Sequence, residues 1–286
     1  MSILQTIEVT KTFSKHTALN KVSINVPEGA VYGLIGHNGA GKTTLIRIIT
    51  QIIAQDSGTV LFNGQPLKPE HALNFGYLPE ERGLYKKMKV GEQALYLAQL
   101  KGLSKQDALK RLKYWFEKFG MEGWWHKKIE ELSKGMQQKV QFIVTIVHEP
   151  KFIIFDEPFS GFDPLNATLL KDEILNLSAT GVTIIFSTHN MTSVEEMCTD
   201  IALINRSQKI LEGKVSDIKQ QYKQHQFEIH VLNAANQIEV LRVQAAQGVS
   251  TNELLQQYMT TGQIVKFEEI LPSMNDIFIQ QVKQNS

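Results

Sequence analysis

The chain has 286 residues, of which 42% are hydrophobic and 21% are charged, so it can form a packed core and is not a disordered chain. Its formal net charge of +1 excludes a general electrostatic attraction to nucleic acid or anionic lipid, and its one cysteine, Cys198, excludes an internal disulfide. No apolar run approaches the roughly 18 residues of a membrane helix, and no signal-peptide pattern is present. We therefore expect a soluble cytosolic protein that reaches a membrane only through a partner.

The first informative segment is a glycine-rich turn between a buried strand and a helix. VYGLI at 31–35 predicts the strand, and the apolar spacing of TTLIRIIT predicts the helix. Between them the chain fits the pattern G-x-x-x-x-G-K-[ST]. This pattern predicts phosphate binding when a strand precedes it and a helix follows it, as here. The residues of this phosphate loop are Gly36, His37, Asn38, Gly39, Ala40, Gly41, Lys42, Thr43 and Thr44.

Each residue type in this loop has a chemical reason. Glycines allow successive backbone N–H groups to turn toward phosphate oxygens, and the helix adds the positive end of its dipole. We expect Lys42 to reach the β- and γ-phosphates of a nucleoside triphosphate and the Thr43 hydroxyl to ligate Mg²⁺. The segment therefore predicts a nucleotide site.

Further along the chain, a helical block interrupts an α/β pattern. A strand at 59–62 runs into the turn Asn63-Gly64, and a strand at 75–78 ends at Pro79. From about 91 to 148 helical spacing dominates, with a Ser104…Asp107 capping pair and one apolar face. The residues of that face are Leu109, Leu112, Phe116 and Phe119. Strand patterns return at 152–156, 182–187 and 201–204, which predicts a largely parallel sheet with helices on both faces.

The strand FIIFDEP ends in two carboxylates, Asp156 and Glu157. Ligands bind outside the carboxyl ends of parallel strands, so both side chains are expected beside the phosphate loop. Phosphoryl transfer depends on positioning and charge stabilisation. We therefore expect Asp156 to hold Mg²⁺ and Glu157 to polarise the attacking water.

A polar stretch at 216–226 marks a domain boundary. Beyond it, alternation at Phe227, Ile229 and Val231 and again at Ile238 and Val240 predicts strands. A helix is expected at 250–259, a strand at 263–267, and a last capped helix after Pro272. The chain is therefore predicted to hold a first domain at 1–218, with the helical block inserted at about 84–149, and a small α+β domain at 225–286.

Three more motifs complete a recognisable series. Leu132-Ser133-Lys134-Gly135-Met136-Gln137-Gln138 opens a predicted helix, Ser160-Gly161-Phe162-Asp163 follows the acidic strand, and Ser187-Thr188-His189-Asn190 ends the next strand. In order and spacing, with the phosphate loop, these motifs resemble the ATP-binding cassette of ABC transporters over residues 3–215. The resemblance implies a P-loop NTPase core with an inserted helical subdomain, and hydrolysis of ATP with Mg²⁺.

The resemblance also implies roles for single residues. Ser133 and Gly135 resemble the signature motif, which grips the γ-phosphate of ATP held by a second copy, so a homodimer is implied. His189 resembles the switch histidine that helps to order the attacking water, and Asp163 resembles a loop aspartate that crosses the dimer interface. Phe13 is similar to the aromatic residue that stacks on adenine, although a packing role for this phenylalanine stays open.

Two positions depart from the family pattern. The signature carries Lys134 where a second glycine is usual and Met136 where a glutamine is common, but Ser133 and Gly135 remain. After YLP, Glu80 stands where a glutamine usually links Mg²⁺ to the helical subdomain. We expect Glu80 to ligate the metal and Arg82 to compensate its charge.

The resemblance is to single-cassette exporter ATPases of the drug-resistance and sodium-extrusion type, with a similar closing helix in LPSMNDIF at 271–278. It implies a separate polytopic membrane permease as partner and a location at the inner face of the cell membrane. GLYKKMKV at 83–90 is the expected edge of the permease groove, or else a solvated basic turn. A soluble ABC-type ATPase acting on ribosomes, DNA or an assembly machinery remains an alternative, although neutral charge offers no nucleic-acid footprint.

Overall fold

A computed structural model describes residues 2–81, 83–160, 164–233, 236–245, 250–260 and 262–285. The polypeptide divides into two compact units, residues 1–212 and residues 213–284. Among the helices of the described residues, none combines the length and the apolar character that crossing a bilayer requires.

The first unit begins with antiparallel strands, which lead into the strand and helix that flank the phosphate loop. The elements are β1 (Ser2–Phe13), β2 (His16–Val22), β3 (Asn25–Pro27), β4 (Val31–Ile35), α1 (Lys42–Ile49), β5 (Ser57–Phe62), β6 (Gln65–Pro66), α2 (Pro69–Leu73) and β7 (Gly76–Leu78). The antiparallel sheet has the strand order β2-β1-β5-β6, and β3 also pairs with β1.

The helical block follows, and the chain then returns to the sheet. The elements are α3 (Val90–Leu100), α4 (Lys105–Lys118), α5 (Lys134–Ile146), β8 (Phe152–Asp156), α6 (Pro164–Ala179), β9 (Thr183–Thr188), α7 (Met191–Met197), β10 (Asp200–Asn205) and β11 (Gln208–Lys214). Two 3-10 turns, Glu122–Trp124 and Ile129–Glu131, lie between α4 and α5.

The central sheet has the order β11-β10-β4-β9-β8-β7, with β10, β4, β9, β8 and β7 parallel. All five residues of β4 and all five of β8 are buried. The predominantly apolar sequences of these two strands are typical of strands covered on both faces. The predicted α/β core with an inserted helical subdomain is thus confirmed.

In the helical block, the buried face of α4 agrees with the predicted apolar face except at one residue. Ser104 caps α4 by accepting a hydrogen bond from the Asp107 amide at 3.1 Å, and Leu112 and Phe116 are fully buried. Leu109 was expected on the buried face, and that expectation is wrong. It is 38% exposed, because Ala108 occupies the inward position one residue earlier.

The second unit has its own sheet and its own small core. Its elements are α8 (Val215–Gln221), β12 (Gln226–Leu232), β13 (Ile238–Gln244), α9 (Thr251–Met259), β14 (Gln263–Ile270) and α10 (Met274–Gln284). The antiparallel order is β13-β12-β14, and Phe227, Ile229 and Val231 pack with Leu254. Ser273 and Asp276 cap α10 reciprocally, as the sequence predicts. Ile238 and Val240 lie on the exposed face of β13.

Candidate nucleotide site

The phosphate loop connects β4 to α1, and two of its glycines are required by close backbone approach. Gly36 has φ +156°, and a Cβ there would lie 2.3 Å from the carbonyl oxygen of Ile204. Gly41 has φ +116°, and a Cβ there would lie 2.5 Å from the carbonyl oxygen of Ala18. Any side chain at either position would push the loop away from its neighbours.

The tip of the loop is tied to the rest of the central sheet. His37 Nδ1 lies 2.7 Å from the Asn38 carbonyl oxygen, and its Nε2 lies 3.1 Å from Asn205 Oδ1 at the end of β10. Ala40 is buried, and its carbonyl accepts a hydrogen bond from the Ser207 amide at 3.1 Å. Contacts within the protein therefore hold the loop against the end of β10.

Lys42 begins α1 and is buried inside the loop. Its ammonium donates to the carbonyl oxygens of Gly36 at 2.7 Å and His37 at 3.3 Å. Burial lowers the pKa of Lys42, and the charges of Glu157, Asp156 and Glu80 act in the opposite direction. Phosphate oxygens entering the loop would replace these two carbonyls as acceptors.

Asp156 ends β8 and is almost completely buried, with 1% of its surface exposed. Both of its carboxylate oxygens are buried without a hydrogen-bond partner of good geometry among the described residues. Burial raises the pKa of Asp156, the Ser187 and Thr43 hydroxyls oppose that shift, and the charges of Glu80 and Glu157 add to it. A buried carboxylate with two such oxygens is suited to binding a cation.

Glu157 has a left-handed backbone with φ +49°, a conformation that residues other than glycine adopt at a cost of roughly 1–2 kcal/mol. Its amide donates to the carbonyl oxygen of Ser187 at 3.0 Å. Its Oε1 lies 2.8 Å from Nδ1 of His189, whose side chain is 61% exposed while that of Glu157 is 12% exposed. The strained turn places a shielded carboxylate against an accessible imidazole.

A single cavity of about 440 Å³ brings most of the predicted site residues together. Phe13 lies in its wall with 46% of its surface exposed, so the ring is open to a ligand. The lining residues are Phe13, His16, Ala18, Asn38, Gly39, Gly41, Lys42, Thr43, Thr44, Glu80, Asp156 and Glu157. The cavity thus joins an exposed aromatic ring, a phosphate loop and three carboxylates.

Ser133 and Gly135 are not in the wall of this cavity. Ser133 is the N-cap of α5, where its hydroxyl accepts a hydrogen bond from the Met136 amide at 3.3 Å, and it is exposed. Gly135 lies in the first turn of the same helix. Asp163 and Arg82 lie outside the described residues, so their predicted roles remain predictions.

Comparisons with known proteins agree with this architecture. The sequence profile described as "ABC transporter" matches residues 19–160, and the profile described as "ATP-binding protein DrrA1-3-like, C-terminal domain" matches residues 213–282. The ABC transporter ATP-binding protein YhaQ of Bacillus subtilis is 40% identical over 287 residues, which cover 96% of this chain and 96% of YhaQ. The chain belongs to the family of ABC transporter ATP-binding proteins.

Two further comparisons extend the family assignment. The linearmycin resistance ATP-binding protein LnrL of Bacillus subtilis is 31% identical over 219 residues, covering 76% of this chain and 70% of LnrL. A solved ATP-binding subunit of an ABC transporter superposes with a TM-score of 0.72 at 30% identity, covering 77% of this chain and 93% of that one. The protein is accordingly an ABC-type ATPase with an additional C-terminal domain.

Sequence motifs did not reveal every residue that shapes the site of this ABC ATPase. His16 and Ala18, near the start of β2, line the cavity. Asn205 at the end of β10 and Ser207 just after it form hydrogen bonds with the phosphate loop. None of these residues lies in a recognisable motif. Strand order places β10 next to β4, and β2, which belongs to the other sheet, approaches the loop where the Ala18 carbonyl faces Gly41.

Proposed function

We propose that this chain is the ATP-hydrolysing subunit of an ABC exporter, working as a head-to-tail homodimer beneath a separate membrane permease. One observation carries the proposal. The cavity holds the phosphate loop and the carboxylates but neither Ser133 nor Gly135, whose helix N-terminus is a second anion site. Because that site is exposed elsewhere on the same chain, a second copy would complete the ATP site.

Mg²⁺ is the cofactor that the site residues fit. Neither buried oxygen of Asp156 has a hydrogen-bond partner of good geometry in the part of the chain that the structure describes, and Thr43 and Glu80 line the same cavity. Among the described residues no three His, Cys, Asp or Glu side chains converge as a closed metal site. Mg²⁺ suits that arrangement, because it is usually held by one or two carboxylates together with phosphates and water. Bound there, the ion would neutralise phosphate charge.

The reaction transfers the γ-phosphoryl group of ATP to water. Backbone amides of the phosphate loop and the Lys42 ammonium hold the phosphates, while the Phe13 ring stacks on adenine. Glu157 accepts a hydrogen bond from the attacking water and takes its proton, and His189 holds the Glu157 carboxylate in position and contacts the γ-phosphate. ADP and inorganic phosphate leave when the dimer opens.

An apolar groove in the first unit offers a place for the permease. The groove has a volume of about 530 Å³, and Leu73, Leu84, Leu97, Leu100 and Val144 contribute to its wall. Leu73 is 66% exposed and Leu100 62% exposed, so the groove presents large apolar side chains to solvent. A cytoplasmic helix of the permease would cover them, and the name of the resistance protein LnrL supports an exporter. The subunit would then lie at the inner face of the membrane.

The homodimer is tested by trapping it. Glu157→Gln should retain ATP binding but lose hydrolysis, so the variant with Mg²⁺ and ATP should elute as a dimer in size-exclusion chromatography with light scattering. Adding Lys42→Ala to the same variant removes the phosphate contact and should return it to a monomer. A Glu157→Gln protein that stays monomeric at saturating ATP would contradict the proposal.

The head-to-tail arrangement is tested by mixing two inactive proteins. Lys42→Ala destroys the phosphate loop, and Ser133→Glu places a carboxylate where the terminal phosphate of the partner would lie. A mixed dimer contains one site with an intact loop and an intact signature. Phosphate release should therefore reappear on mixing, whereas two copies that act independently would stay inactive together.

A further inference from the structure

The near-zero net charge of the chain is the sum of a basic helical block and an acidic remainder. Residues 84–149, the helical block, contain thirteen lysine and arginine residues and seven aspartate and glutamate residues. The whole chain contains 30 and 29 respectively, so acidic residues predominate outside the block. The expectation of no attraction to anionic lipid was drawn from the overall charge, and it does not apply to this part of the surface.

Five lysines of the block are concentrated on two segments that pair with each other. We call them the lysine ridge, and all five are exposed: Lys86, Lys87, Lys89, Lys127 and Lys128. Lys89 and Lys128 form an antiparallel bridge, the Val90 amide donates to the Lys127 carbonyl at 2.9 Å, and the Glu130 amide donates to the Lys86 carbonyl at 3.0 Å. The backbone therefore fixes the positive charges in one place.

The carboxylates of the same two segments, Glu92, Glu130 and Glu131, compensate this charge only in part. Lys89 lies 3.6 Å from Glu92 and Lys128 lies 3.8 Å from Glu130, both at the long end for an ion pair and both exposed. Within the described part of the chain, Lys86, Lys87 and Lys127 have no ion pair. By contrast, Lys118 lies 2.6 Å from Glu173.

The lysine ridge continues directly from the apolar groove. Gly83 and Leu84 line the groove, and the chain then passes through Tyr85, which is 59% exposed, into Lys86 and Lys87. None of the ridge lysines lines the groove itself. If a membrane permease occupies the groove, as the proposed function holds, the ridge lies beside the point where the protein meets the membrane.

We propose that the lysine ridge binds the anionic headgroups of the inner membrane leaflet next to the permease. The inference rests on the proposed function for the orientation of the ridge toward the membrane. The attraction between lysines and anionic headgroups does not depend on that function. Each lysine carries a point charge at the end of a flexible side chain, so a group of lysines anchored on one stretch of backbone suits a diffuse layer of phosphate groups better than one shaped partner. An exposed tyrosine beside them is the side chain that membrane interfaces favour.

The test is sedimentation of the full-length protein with lipid vesicles. Vesicles of phosphatidylcholine alone are compared with vesicles in which about one third of the lipid is phosphatidylglycerol. The triple variant Lys86→Gln, Lys87→Gln, Lys127→Gln should bind the anionic vesicles at least about tenfold more weakly than the parent protein. The matched control is Lys105→Gln, Lys110→Gln, Lys113→Gln, which removes the same charge from exposed positions on α4 and should retain binding.

The outcomes separate this proposal from the proposed function. Equal loss in both triple variants, or no preference of the parent for anionic vesicles, would overturn the lipid site. Loss of permease association in detergent by the ridge variant, with vesicle binding unchanged, would also overturn it in favour of a protein partner. ATP-dependent dimerisation of Glu157→Gln is measured on the same preparations, and its failure counts against the proposed function alone.

Discussion

Asp156 illustrates at the level of one residue how a functional group can oppose stability. Its two oxygens are buried without hydrogen-bond partners of good geometry among the described residues, and burial raises its pKa. Replacing a buried, unpaired carboxylate with a neutral amide removes a desolvation penalty. Natural proteins retain such groups where the chemistry requires them.

Asp156→Asn should therefore stabilise the nucleotide-free protein by about 1–3 kcal/mol, measured by urea unfolding. It should also lower ATPase activity at least about a hundredfold, because the site loses its buried charge. Asp172→Asn, at an exposed position of α6, is the control and should change neither quantity. A less stable Asp156→Asn would show that the carboxylate is well accommodated in the free protein.

The buried ring of His148 should make the free energy of unfolding depend on pH. Burial, with the charge of Lys101 as a second cause, lowers the pKa of its ring from 6.5 to about 4. Between those values the unfolded chain binds a proton that the folded chain does not, so stability falls as the pH drops from 6.5 toward 4. The expected slope for one such proton is about 1.4 kcal/mol per pH unit at most.

Replacing the His148 ring should remove its contribution to the pH dependence of stability. In His148→Gln, the free energy of unfolding should depend less steeply on pH in that window. His126→Gln, which changes an exposed histidine, should keep the parent slope. Identical slopes in all three proteins would mean that His148 is protonated in the folded state.

At the level of elements, the N-cap residue of α5 has a structural task and, in the proposed dimer, a second one. Ser133 caps the helix, and in the proposed dimer its hydroxyl and the neighbouring amides face a phosphate. Ser104 caps α4 in the same helical block and has only the structural task. The two serines therefore form a matched pair.

Ser133→Ala and Ser104→Ala should each destabilise the protein by about 1 kcal/mol, because each removes an N-cap. Only Ser133→Ala should reduce ATP hydrolysis. Ser133→Asp should keep the cap and the stability but lose hydrolysis, since its carboxylate would repel the γ-phosphate. Parallel denaturation and phosphate-release assays check both, and equal activity of the two alanine variants would contradict the signature role.

The sequence predicts helices, strands and turns correctly where the residues that determine them are close together in the chain. The uninterrupted apolar run of β8, the loop glycines and the Ser104 cap each have a physical cause within a few residues. Leu109 was placed wrongly because neighbouring residues on a helix differ by only 100° and Ala108 gives a weak apolar signal. The order of strands was beyond reach, since β4 lies between β9 and β10, which follow it by about 150 residues.

At the level of the whole molecule, two units each contain a core of their own. Ile229 is fully buried in the small core of the second unit, and Ile154 is fully buried in the central sheet of the first. The nucleotide cavity belongs entirely to the first unit. Local stability can therefore be measured separately in each unit.

Ile229→Ala should cost about 2–4 kcal/mol and accelerate amide hydrogen exchange in the peptide covering β12, with ATP affinity unchanged. Ile154→Ala should accelerate exchange in β8 and weaken ATP binding, because β8 carries Asp156. Exchange measured by mass spectrometry on the full chain, together with nucleotide titration, checks both. Faster exchange in β8 after Ile229→Ala would show that the two units unfold as one.

The left-handed backbone at Glu157 has a consequence for protein engineering. Any procedure that ranks amino acids by how well they suit their backbone would replace this glutamate with glycine or asparagine, which adopt positive φ more readily. Such a variant would fold more stably and, on the role proposed for Glu157, would hold ATP without releasing phosphate. Selection for heat resistance alone therefore favours loss of the proposed ATP hydrolysis, and screens for stable variants need turnover as a second criterion.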